Sequence, residues 1–500
     1  MKKVGFLIGA GAELSYEMPS GGKFALEIFR QDPSNSKESF RKMRDDIDSS
    51  TMYASKWLPD NYQNNNIHVF GKRVFDTIIK DTVGNNREEV INKINSFDEV
   101  AREALQAIKR QHKTDLAKII YEDLNNTVEN ININQKLKYT KLFDEGNKLF
   151  KNNYFAVLLE YYNSYTHFSD EEKKELREIL KAIFQLQLGA ISEKRSRELE
   201  DNIFEKKDLD IDIFDELGGN LNVNYETAGV KGLELLAQVD KEKVKHKHKI
   251  IQFAYEIIES IYSDVLDYKS LIDSNWHYLY NPLTEWAKFC RIGVFLYTVQ
   301  EYIKEQGKRI NKENNGYYHD LIDRDFKIEI IATTNYNVFI KEILKEDVVF
   351  LNGSIEEYYD PYLNAIGNKN DLNERESHFI VPLLFTQSGT KPMTSIDMAM
   401  RYVDFYERLK KSDFICSIGF GFNPDDEHIN GIIRTLIDKD NKSLYIVDVE
   451  PENKEEDKRD EFVRKLKVIN SNNIKLITVN SESRKVGNKL WVEILSEYTK

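Results

Sequence analysis

Residues 4–22 read Val4-Gly-Phe-Leu-Ile-Gly-Ala-Gly-Ala-Glu-Leu-Ser-Tyr-Glu-Met-Pro-Ser-Gly-Gly22, an apolar run that leads into a glycine turn. The run predicts a buried β-strand, and the residues after the turn predict a helix. Gly9 and Gly11 carry no Cβ, so the main chain can turn sharply there and approach a bound diphosphate. The third glycine of the usual dinucleotide fingerprint is absent, because position 14 is Leu. Taken alone, the segment predicts either a nucleotide-binding turn or a turn whose glycines serve close packing.

From Phe326 onward the sequence changes to short apolar runs that end in polar residues. Such runs are typical of buried parallel strands, and helical stretches lie between them. The runs are residues 328–332, 348–351, 379–385, 414–418, 444–447 and 474–479. This alternation predicts an α/β fold with a Rossmann-like, doubly wound parallel sheet. Ligands of such sheets bind beyond the carboxyl ends of the strands, where these runs end.

Between residues 23 and 325 the apolar periodicity is helical. Ser169 and Glu172 form a capping box ahead of apolar residues that share one helix face. Further helices are predicted over residues 249–266 and 282–306. The sequence therefore predicts three segments: the first strand and glycine turn of the Rossmann-like domain over 1–22, a large helical insertion over 23–325, and the remainder of the Rossmann-like domain over 326–500.

The charge and hydropathy of the chain limit its partners. A net charge of −13 argues against nucleic acid as the main partner, because binding to phosphates needs concentrated Lys and Arg. One basic stretch, residues 241–249, is explained more simply by an exposed helix face. The apolar stretches fall short of the ~18 residues that span a bilayer. The sequence thus predicts a soluble, cytoplasmic protein without a membrane partner.

Two sets of residues invite a metal-site interpretation and fail it. The two cysteines, Cys290 and Cys416, are too few for a four-cysteine zinc site. Aspartates alternate in the acidic segment 208–216 as they do in a calcium loop. The required glycine of that loop is replaced by Ile213, and its bidentate acid is replaced by Gly219. The sequence therefore predicts no metal site.

Four motifs, in family order, resemble those of the SIR2 (sirtuin) superfamily. In the first, Gly-Ala-Gly is followed by a proline eight residues later, as Gly11 is followed by Pro19 here. Residues 330–337, Ile-Ile-Ala-Thr-Thr-Asn-Tyr-Asn, resemble the Thr-Thr-Asn-Tyr-Asp strand end of bacterial SIR2-like proteins. Residues 348–354 resemble the strand that ends in His-Gly, and residues 413–428 the late strand and turn that close over the cofactor. The middle of the chain is unmatched.

The resemblance implies catalytic roles at the strand ends. It assigns to Asn335 the Asn that is essential for breaking the nicotinamide–ribose bond. A carboxamide both donates and accepts hydrogen bonds, which suits it to position a water, although a turn-forming Asn is the alternative. Asn352 stands where the family has a histidine as general base, and Asn337 where it has Asp. Other candidate bases are His428 and His378, with the acids before His428 predicted to cap a helix.

The predicted cofactor-binding residues lie within these motifs or at the end of a predicted strand. They are Gly9, Ala10, Gly11, Ala12, Glu13, Pro19, Ser20, Thr334, Asn335, Gly353, Gly419, Gly421 and Asp448. Asp448 follows an apolar run and suits a ribose hydroxyl, although a polar residue that simply ends a strand is the alternative. A diphosphate would repel Glu13, so this residue points away, binds a ribose hydroxyl or marks a changed ligand.

The function implied by the resemblance is hydrolysis of NAD+ to nicotinamide and ADP-ribose, with NAD as substrate and without zinc. Bacterial proteins of this type deplete NAD in antiphage defence, as homo-oligomers or with a second defence protein or a phage trigger. A second interpretation is a regulatory subunit that binds NAD or ADP-ribose without catalysis, because Asn352 and Asn337 replace family residues. A third, protein ADP-ribosyl transfer or deacetylation, is disfavoured by the missing zinc cysteines.

Overall fold

The structure is a computed structural model of the 500-residue chain. It describes residues 2–19, 21–70, 85–112, 115–133, 149–190, 232, 235–236, 239, 241–263, 266, 269–310, 315–374, 376–384, 395–449 and 455–498. Ser20 and the acidic segment 208–216 lie outside the described residues.

A six-stranded parallel sheet organises the fold. The strands of the described chain are β1 (Lys3–Ile8), β2 (Lys327–Thr333), β3 (Val348–Phe350), β4 (Tyr358–Asp360), β5 (Ala365–Gly367), β6 (Val381–Pro382), β7 (Phe414–Ile418), β8 (Leu444–Val449), β9 (Ile474–Val479), β10 (Lys485–Val486) and β11 (Lys489–Leu490). The large sheet has the order β3-β2-β1-β7-β8-β9, with every neighbouring pair parallel. The predicted α/β class is confirmed, and this order, which reverses between β1 and β7, is compatible with a Rossmann-like fold.

Five of the six predicted strands after residue 326 belong to this sheet, and one does not. Within the described part of residues 379–385, only Val381–Pro382 is a strand. It pairs antiparallel with β4 in a separate three-stranded sheet of order β5-β4-β6. Proline has no N–H to donate, so Pro382 suits this edge strand and not the middle of a sheet. The apolar run around it was therefore wrongly predicted as a parallel strand.

The helices confirm the helical periodicity of the middle of the chain. The described α-helices are Gly21–Phe29, Ser34–Asp45, Met52–Trp57, Arg87–Asn95, Phe97–His112, Leu116–Leu124, Asn153–Ser164, Asp170–Ala190, Lys241–Val244, Lys249–Ser263, Lys269–Asn275, Pro282–Arg309, Tyr317–Asp320, Phe339–Leu344, Lys369–Leu372, Ile396–Lys411, Glu427–Asp438, Glu455–Leu466 and Trp491–Glu497. The predicted capping box is present, since the Glu172 N–H donates to Ser169 Oγ and Glu172 accepts from the Ser169 N–H. Of the helices described, none is long and apolar enough to cross a membrane.

Both faces of the parallel sheet are covered by apolar packing. Phe6 and Ile8 of β1 lie in one buried cluster, which also contains Trp491 from the last helix. Leu7, between them, lies in a second cluster together with Leu409. Successive side chains of a strand point to opposite faces, so this alternation places helices on both sides of the sheet.

The chain divides into two compact units. The first comprises Met1–Ser20, Gln31–Phe70 and Tyr268–Lys500, and it contains the parallel sheet. The second comprises Gly21–Arg30 and Gly71–Asp267. Two stretches of the predicted helical insertion, residues 31–70 and 268–325, thus fall in the unit that contains the sheet, while the predicted three-segment organisation stays a prediction.

Candidate functional site

The glycine turns after β1 and β7 are in close main-chain contact at the point where the strand order reverses. The Gly9 N–H donates to the Ile418 carbonyl over 3.0 Å, and the Gly11 N–H donates to the Gly419 carbonyl over 2.9 Å. A Cβ on Gly9 would lie 2.5 Å from the Gly419 carbonyl oxygen, and Gly419 itself has a φ of +62°. The glycines therefore permit the close approach of two main chains. Ala10 is exposed at the tip of the first turn.

Asn335 follows β2 and lies beside the glycine turn. Its main-chain N–H donates to the Thr333 hydroxyl over 3.1 Å. Its side-chain Nδ2 donates to the Gly9 carbonyl over 3.1 Å and to the Tyr318 hydroxyl over 3.4 Å. Within the described chain, no hydrogen bond reaches its Oδ1 atom. Both N–H groups of a buried carboxamide are thus held, which leaves the oxygen as the acceptor for a ligand.

Glu13 is a buried carboxyl group directly beneath this turn. Its Oε1 atom accepts from the Tyr318 hydroxyl over 2.9 Å, and its Oε2 atom accepts from Asn337 Nδ2. Burial raises the pKa of Glu13 from 4.5 to about 7, against the opposing effect of hydrogen bonds from Tyr318, Asn337 and Asn335. The structure therefore turns Glu13 into the protein, where its carboxyl group changes charge near neutral pH.

Tyr318 was not predicted as a site residue, although it joins Glu13 to Asn335. It lies in the short helix Tyr317–Asp320 and stacks on Tyr16, with ring centroids 5.1 Å apart. Its main-chain N–H donates to the Tyr16 hydroxyl over 3.0 Å. Burial raises the pKa of Tyr318 far above its ordinary value, so its hydroxyl stays protonated. It is 305 residues from Glu13 in the chain, and neither periodicity nor a motif indicated it.

The end of β3 adds a further buried carboxamide to the site. Asn352 is 1% exposed, and its Nδ2 donates to the Thr334 carbonyl over 3.5 Å. The following Gly353 has a φ of +83°, and a Cβ there would lie 2.1 Å from the Leu383 carbonyl oxygen. The hydrogen bond from Asn352 to Thr334 therefore joins the carboxyl ends of β2 and β3, which are neighbours in the sheet.

His428 lies in the first turn of the helix Glu427–Asp438, as predicted. Its ring contacts the Tyr402 ring edge-on, with centroids 5.5 Å apart. Tyr402 donates in turn to the Leu351 carbonyl over 3.0 Å, at the end of β3. In the described chain, the hydrogen-bond partners of Asn335 include main-chain groups and hydroxyls but no histidine.

His378 belongs to a different part of the first unit. Its Nδ1 atom lies 2.7 Å from Asp360 Oδ2, at the end of β4 in the antiparallel sheet. It also lines a cavity of about 220 Å³ together with Lys42 and Lys369. None of the residues that line this cavity belongs to the Asn335 cluster.

Of the remaining predicted residues, Ala12 belongs to the glycine turn, and the others have no hydrogen bond to Asn335 among the described residues. The Ala12 N–H donates to the Gly9 carbonyl over 3.2 Å and is part of the turn. Pro19 is half-buried, beyond that turn. Asp448 forms an ion pair of 2.8 Å with Lys458. Gly421 is exposed. No hydrogen bond seen in the described chain joins Pro19, Asp448 or Gly421 to Asn335.

Comparison with protein-family models, with curated proteins and with solved structures finds no match to this chain. Over the described residues, no group of three or more His, Cys, Asp or Glu side chains is placed to hold a metal ion. The candidate site is defined by its own geometry. Hydrogen bonds join the buried Glu13 carboxyl group and the Tyr318 hydroxyl to the Asn335 and Asn337 carboxamides at the carboxyl ends of β1 and β2. The Asn352 carboxamide, after β3, bonds to the Thr334 carbonyl beside them.

Proposed function

We propose that this protein is a SIR2-type hydrolase that cleaves NAD+ to nicotinamide and ADP-ribose, with Asn335 at the reacting centre. The observation that carries the proposal is the position of Asn335, at the carboxyl end of β2 and hydrogen-bonded to the Gly9 carbonyl. Doubly wound sheets bind their ligands at this edge, beside the point where the strand order reverses. The resemblance of residues 330–337 to the family motif supports the same residue.

The proposed binding mode follows from the shape of the turns. The diphosphate lies over the turn of residues 9–12, where Ala10 is exposed and the neighbouring side chains are small. The Gly9 N–H is engaged by the last residue of β7 and the Gly11 N–H by the turn after it, so the role of these glycines is to shape the crevice. The nicotinamide ribose then reaches Asn335, whose Oδ1 atom accepts from a water or a ribose hydroxyl.

The proposed reaction is a displacement at the anomeric carbon of the nicotinamide ribose. The bond to the nicotinamide nitrogen breaks, and its electron pair leaves on a nicotinamide that becomes neutral. The oxygen of water forms the new bond, and its proton passes to solvent. A positioned base is worth about 10²–10⁴ in rate in many enzymes. An oxocarbenium-like transition state needs little deprotonation of the water, so Asn352 in place of a histidine slows the reaction without abolishing it.

We infer the biological role from the resemblance. Hydrolysis would deplete NAD in the cytoplasm during antiphage defence, by a homo-oligomer or by a complex with a second defence protein or a phage trigger. Unregulated NAD hydrolysis is toxic to its own cell, so the isolated chain is expected to rest in a repressed state with slow basal turnover. Rapid constitutive turnover by the isolated chain would contradict this part of the proposal.

Nicotinamide release from NAD+ at high protein concentration tests the proposal. Asn335→Ala should lower the rate by about 100-fold, because it removes the group that positions the reacting water. Asn64→Ala, at an exposed loop asparagine, is the matched control and should leave the rate unchanged. In H2(18)O, hydrolysis should place the label on the anomeric hydroxyl of ADP-ribose. An Asn335→Ala variant as active as the wild type would contradict the proposal.

A regulatory subunit that binds NAD or ADP-ribose is the second candidate. The observation that favours it is that the hydrogen bonds of Asn335 in the described chain go to a main-chain carbonyl and to hydroxyls and to no histidine, with Asn352 in place of the family histidine. Calorimetric titration with NAD and with ADP-ribose distinguishes the two. Tight binding of either nucleotide without nicotinamide release, even at high protein concentration, would favour the regulatory subunit.

A further inference from the structure

A chain of hydrogen bonds joins the buried carboxyl group of Glu13 to the carboxamide of Asn335. Asn335 Nδ2 donates to the Tyr318 hydroxyl over 3.4 Å, and that hydroxyl donates to Glu13 Oε1 over 2.9 Å. The other N–H of the carboxamide donates to the Gly9 carbonyl over 3.1 Å. Both bonds help to orient the carboxamide, and the bond to Tyr318 depends on the direction in which the Tyr318 hydroxyl points.

We propose that Glu13 is a positioning residue that holds the Asn335 carboxamide in its active orientation through the Tyr318 hydroxyl. The inference rests on the proposed NAD hydrolysis and names a regulation of the same site. Glu13 is 4% exposed and Tyr318 is fully buried, so both act through Asn335 and not on the nucleotide itself. The geometry therefore makes the charge of one buried carboxyl group a determinant of activity.

The ionised and protonated carboxyl groups hold the Tyr318 hydroxyl differently. An ionised carboxylate only accepts hydrogen bonds. Tyr318 then donates to Glu13 and keeps its lone pairs for Asn335 Nδ2. A protonated Glu13 donates to Tyr318 instead, which turns the hydroxyl proton towards Asn335 Nδ2, itself a donor. Asn335 then keeps its hydrogen bond to the Gly9 carbonyl and loses the one to the Tyr318 hydroxyl. We therefore expect the site to be active with Glu13 ionised and impaired with Glu13 protonated.

The aromatic packing makes hydroxyl rotation the easiest response to protonation of Glu13. The Tyr318 ring stacks on Tyr16 and lies 5.3 Å from the Phe339 ring, so the ring itself is fixed. A hydroxyl rotates about its C–O bond without any heavy atom moving. Asn337 also donates to Glu13, and to accept a proton from it Asn337 would have to turn its whole carboxamide within a buried site.

Other titratable groups near Glu13 have their own partners. Burial raises the pKa of Tyr16 well above its ordinary value, so this residue stays neutral as Tyr318 does. His319 Nδ1 lies 3.0 Å from the Tyr16 hydroxyl, and no hydrogen bond or ion pair of the described residues joins His319 to Glu13. Asp320 is held by Arg484 in a pair of hydrogen bonds of 2.7 and 3.0 Å. His319 is therefore the neighbouring group whose contribution must be separated from that of Glu13.

The test is the pH dependence of nicotinamide release by wild-type protein and variants. The burial that raises the pKa of Glu13 to about 7 places the transition near neutrality. Wild-type kcat should rise about tenfold between pH 6 and pH 8, as for a single proton with that midpoint. Glu13→Gln, which carries a donor permanently, should stay at the acid level at every pH. Tyr318→Phe, which breaks the chain of bonds, should also be slow and independent of pH.

Control variants distinguish the loss of Asn335 positioning from a general disruption of the folded protein. Glu482→Gln at an exposed loop and Tyr317→Phe next to Tyr318 should keep both the wild-type kcat and its rise with pH. His319→Gln should keep the rise as well, because His319 does not contact Glu13. The proposal is overturned if Glu13→Gln keeps the wild-type pH dependence, or if His319→Gln removes it.

The NMR signals of the Asn335 side chain report its orientation without any turnover of NAD, so they test the role of Glu13 independently of hydrolysis. The side-chain amide NMR signals of Asn335, assigned by their loss in Asn335→Ala, should shift with pH around a midpoint near 7. In Glu13→Gln they should stay at the wild-type acid position. If the Asn335 signals shift with pH in a protein that releases no nicotinamide, the positioning role of Glu13 is supported and hydrolysis is contradicted. If the protein releases nicotinamide while its Asn335 signals do not change with pH, hydrolysis is supported and the positioning role of Glu13 is overturned.

Discussion

At the scale of single residues, Glu13 couples folding to pH. Its pKa rises from 4.5 to about 7 on burial, so the folded chain holds a proton that the unfolded chain releases between these two pH values. The free energy of unfolding therefore falls as pH rises through this window and is constant above it. At about 1.4 kcal/mol for each pKa unit, the loss is about 3 kcal/mol.

Glu13→Gln removes the contribution of Glu13 to the pH dependence of the free energy of unfolding. We expect the unfolding free energy of the variant, relative to the wild type, to increase by about 3 kcal/mol between pH 4.5 and pH 8. Guanidinium unfolding at both pH values measures the difference. Parallel pH dependence in the two proteins would show that Glu13 is not a buried carboxyl group with a raised pKa.

The sequence indicated some site residues and could not indicate others. Asn335 is indicated by the resemblance of residues 330–337 to a SIR2 motif, and the structure places it just after the carboxyl end of β2. Glu13 is predicted as a cofactor-binding residue that points away from a diphosphate, binds a ribose hydroxyl or marks a changed ligand, and the structure turns it into the protein. Its partner Tyr318 is 305 residues away, in a helix of four residues that produces no apolar periodicity. A contact between distant chain segments, made by one hydroxyl, has no local sequence signal.

At the scale of elements, the turns after β1 and β7 are predicted to depend on glycine for two separate reasons. Gly419 has a φ of +62°, and a Cβ there would lie 2.2 Å from the Ala12 nitrogen. Gly487 has a φ of +60° with no atom within 4 Å of its Cβ position. Gly487→Ala therefore serves as a control, because it introduces the strain of a positive φ without any steric clash.

We expect Gly487→Ala to cost about 1–2 kcal/mol of unfolding free energy, the usual cost of a left-handed residue with a side chain. Gly419→Ala should cost more than twice as much, because the two turns must also move apart. Denaturant unfolding of both variants measures the two costs. Equal costs would show that the turns are not in close contact.

Periodicity identified most strands of the sheet, and its failure has a local cause. Buried parallel strands are apolar on both faces, so their runs stand out in the sequence. The run of residues 379–385 looks the same but contains Pro382, which directs it to the edge of the antiparallel sheet. Apolar content alone does not say which sheet a buried segment joins.

At the scale of the whole molecule, the proposed site lies within the first compact unit. Saturating NAD should slow main-chain hydrogen exchange in residues 10–16, 334–338 and 352–354, at the carboxyl ends of β1, β2 and β3. The helix Phe97–His112 of the second unit is the internal control and should exchange at an unchanged rate. Slowed exchange confined to residues 369–378, beside the His378 cavity, would place the nucleotide elsewhere.

The composition of the two units could not be obtained from the sequence. Residues 31–70 and 268–325 have the same helical periodicity as residues 71–267, yet they belong to the unit that contains the sheet. A helix that packs on a sheet and a helix that packs on other helices both show one apolar face. The partner of that face is decided by long-range contacts, which periodicity does not report.

The central claim is that Asn335 drives cleavage of the nicotinamide–ribose bond, and one measurement tests it most directly. The rate of nicotinamide release at saturating NAD is compared between wild-type protein and Asn335→Ala, with NAD affinity measured on the same samples by calorimetry. We expect the rate to fall by about 100-fold while the variant still binds NAD. An unchanged rate in the variant, or NAD bound to the wild type without release of nicotinamide, would contradict the claim.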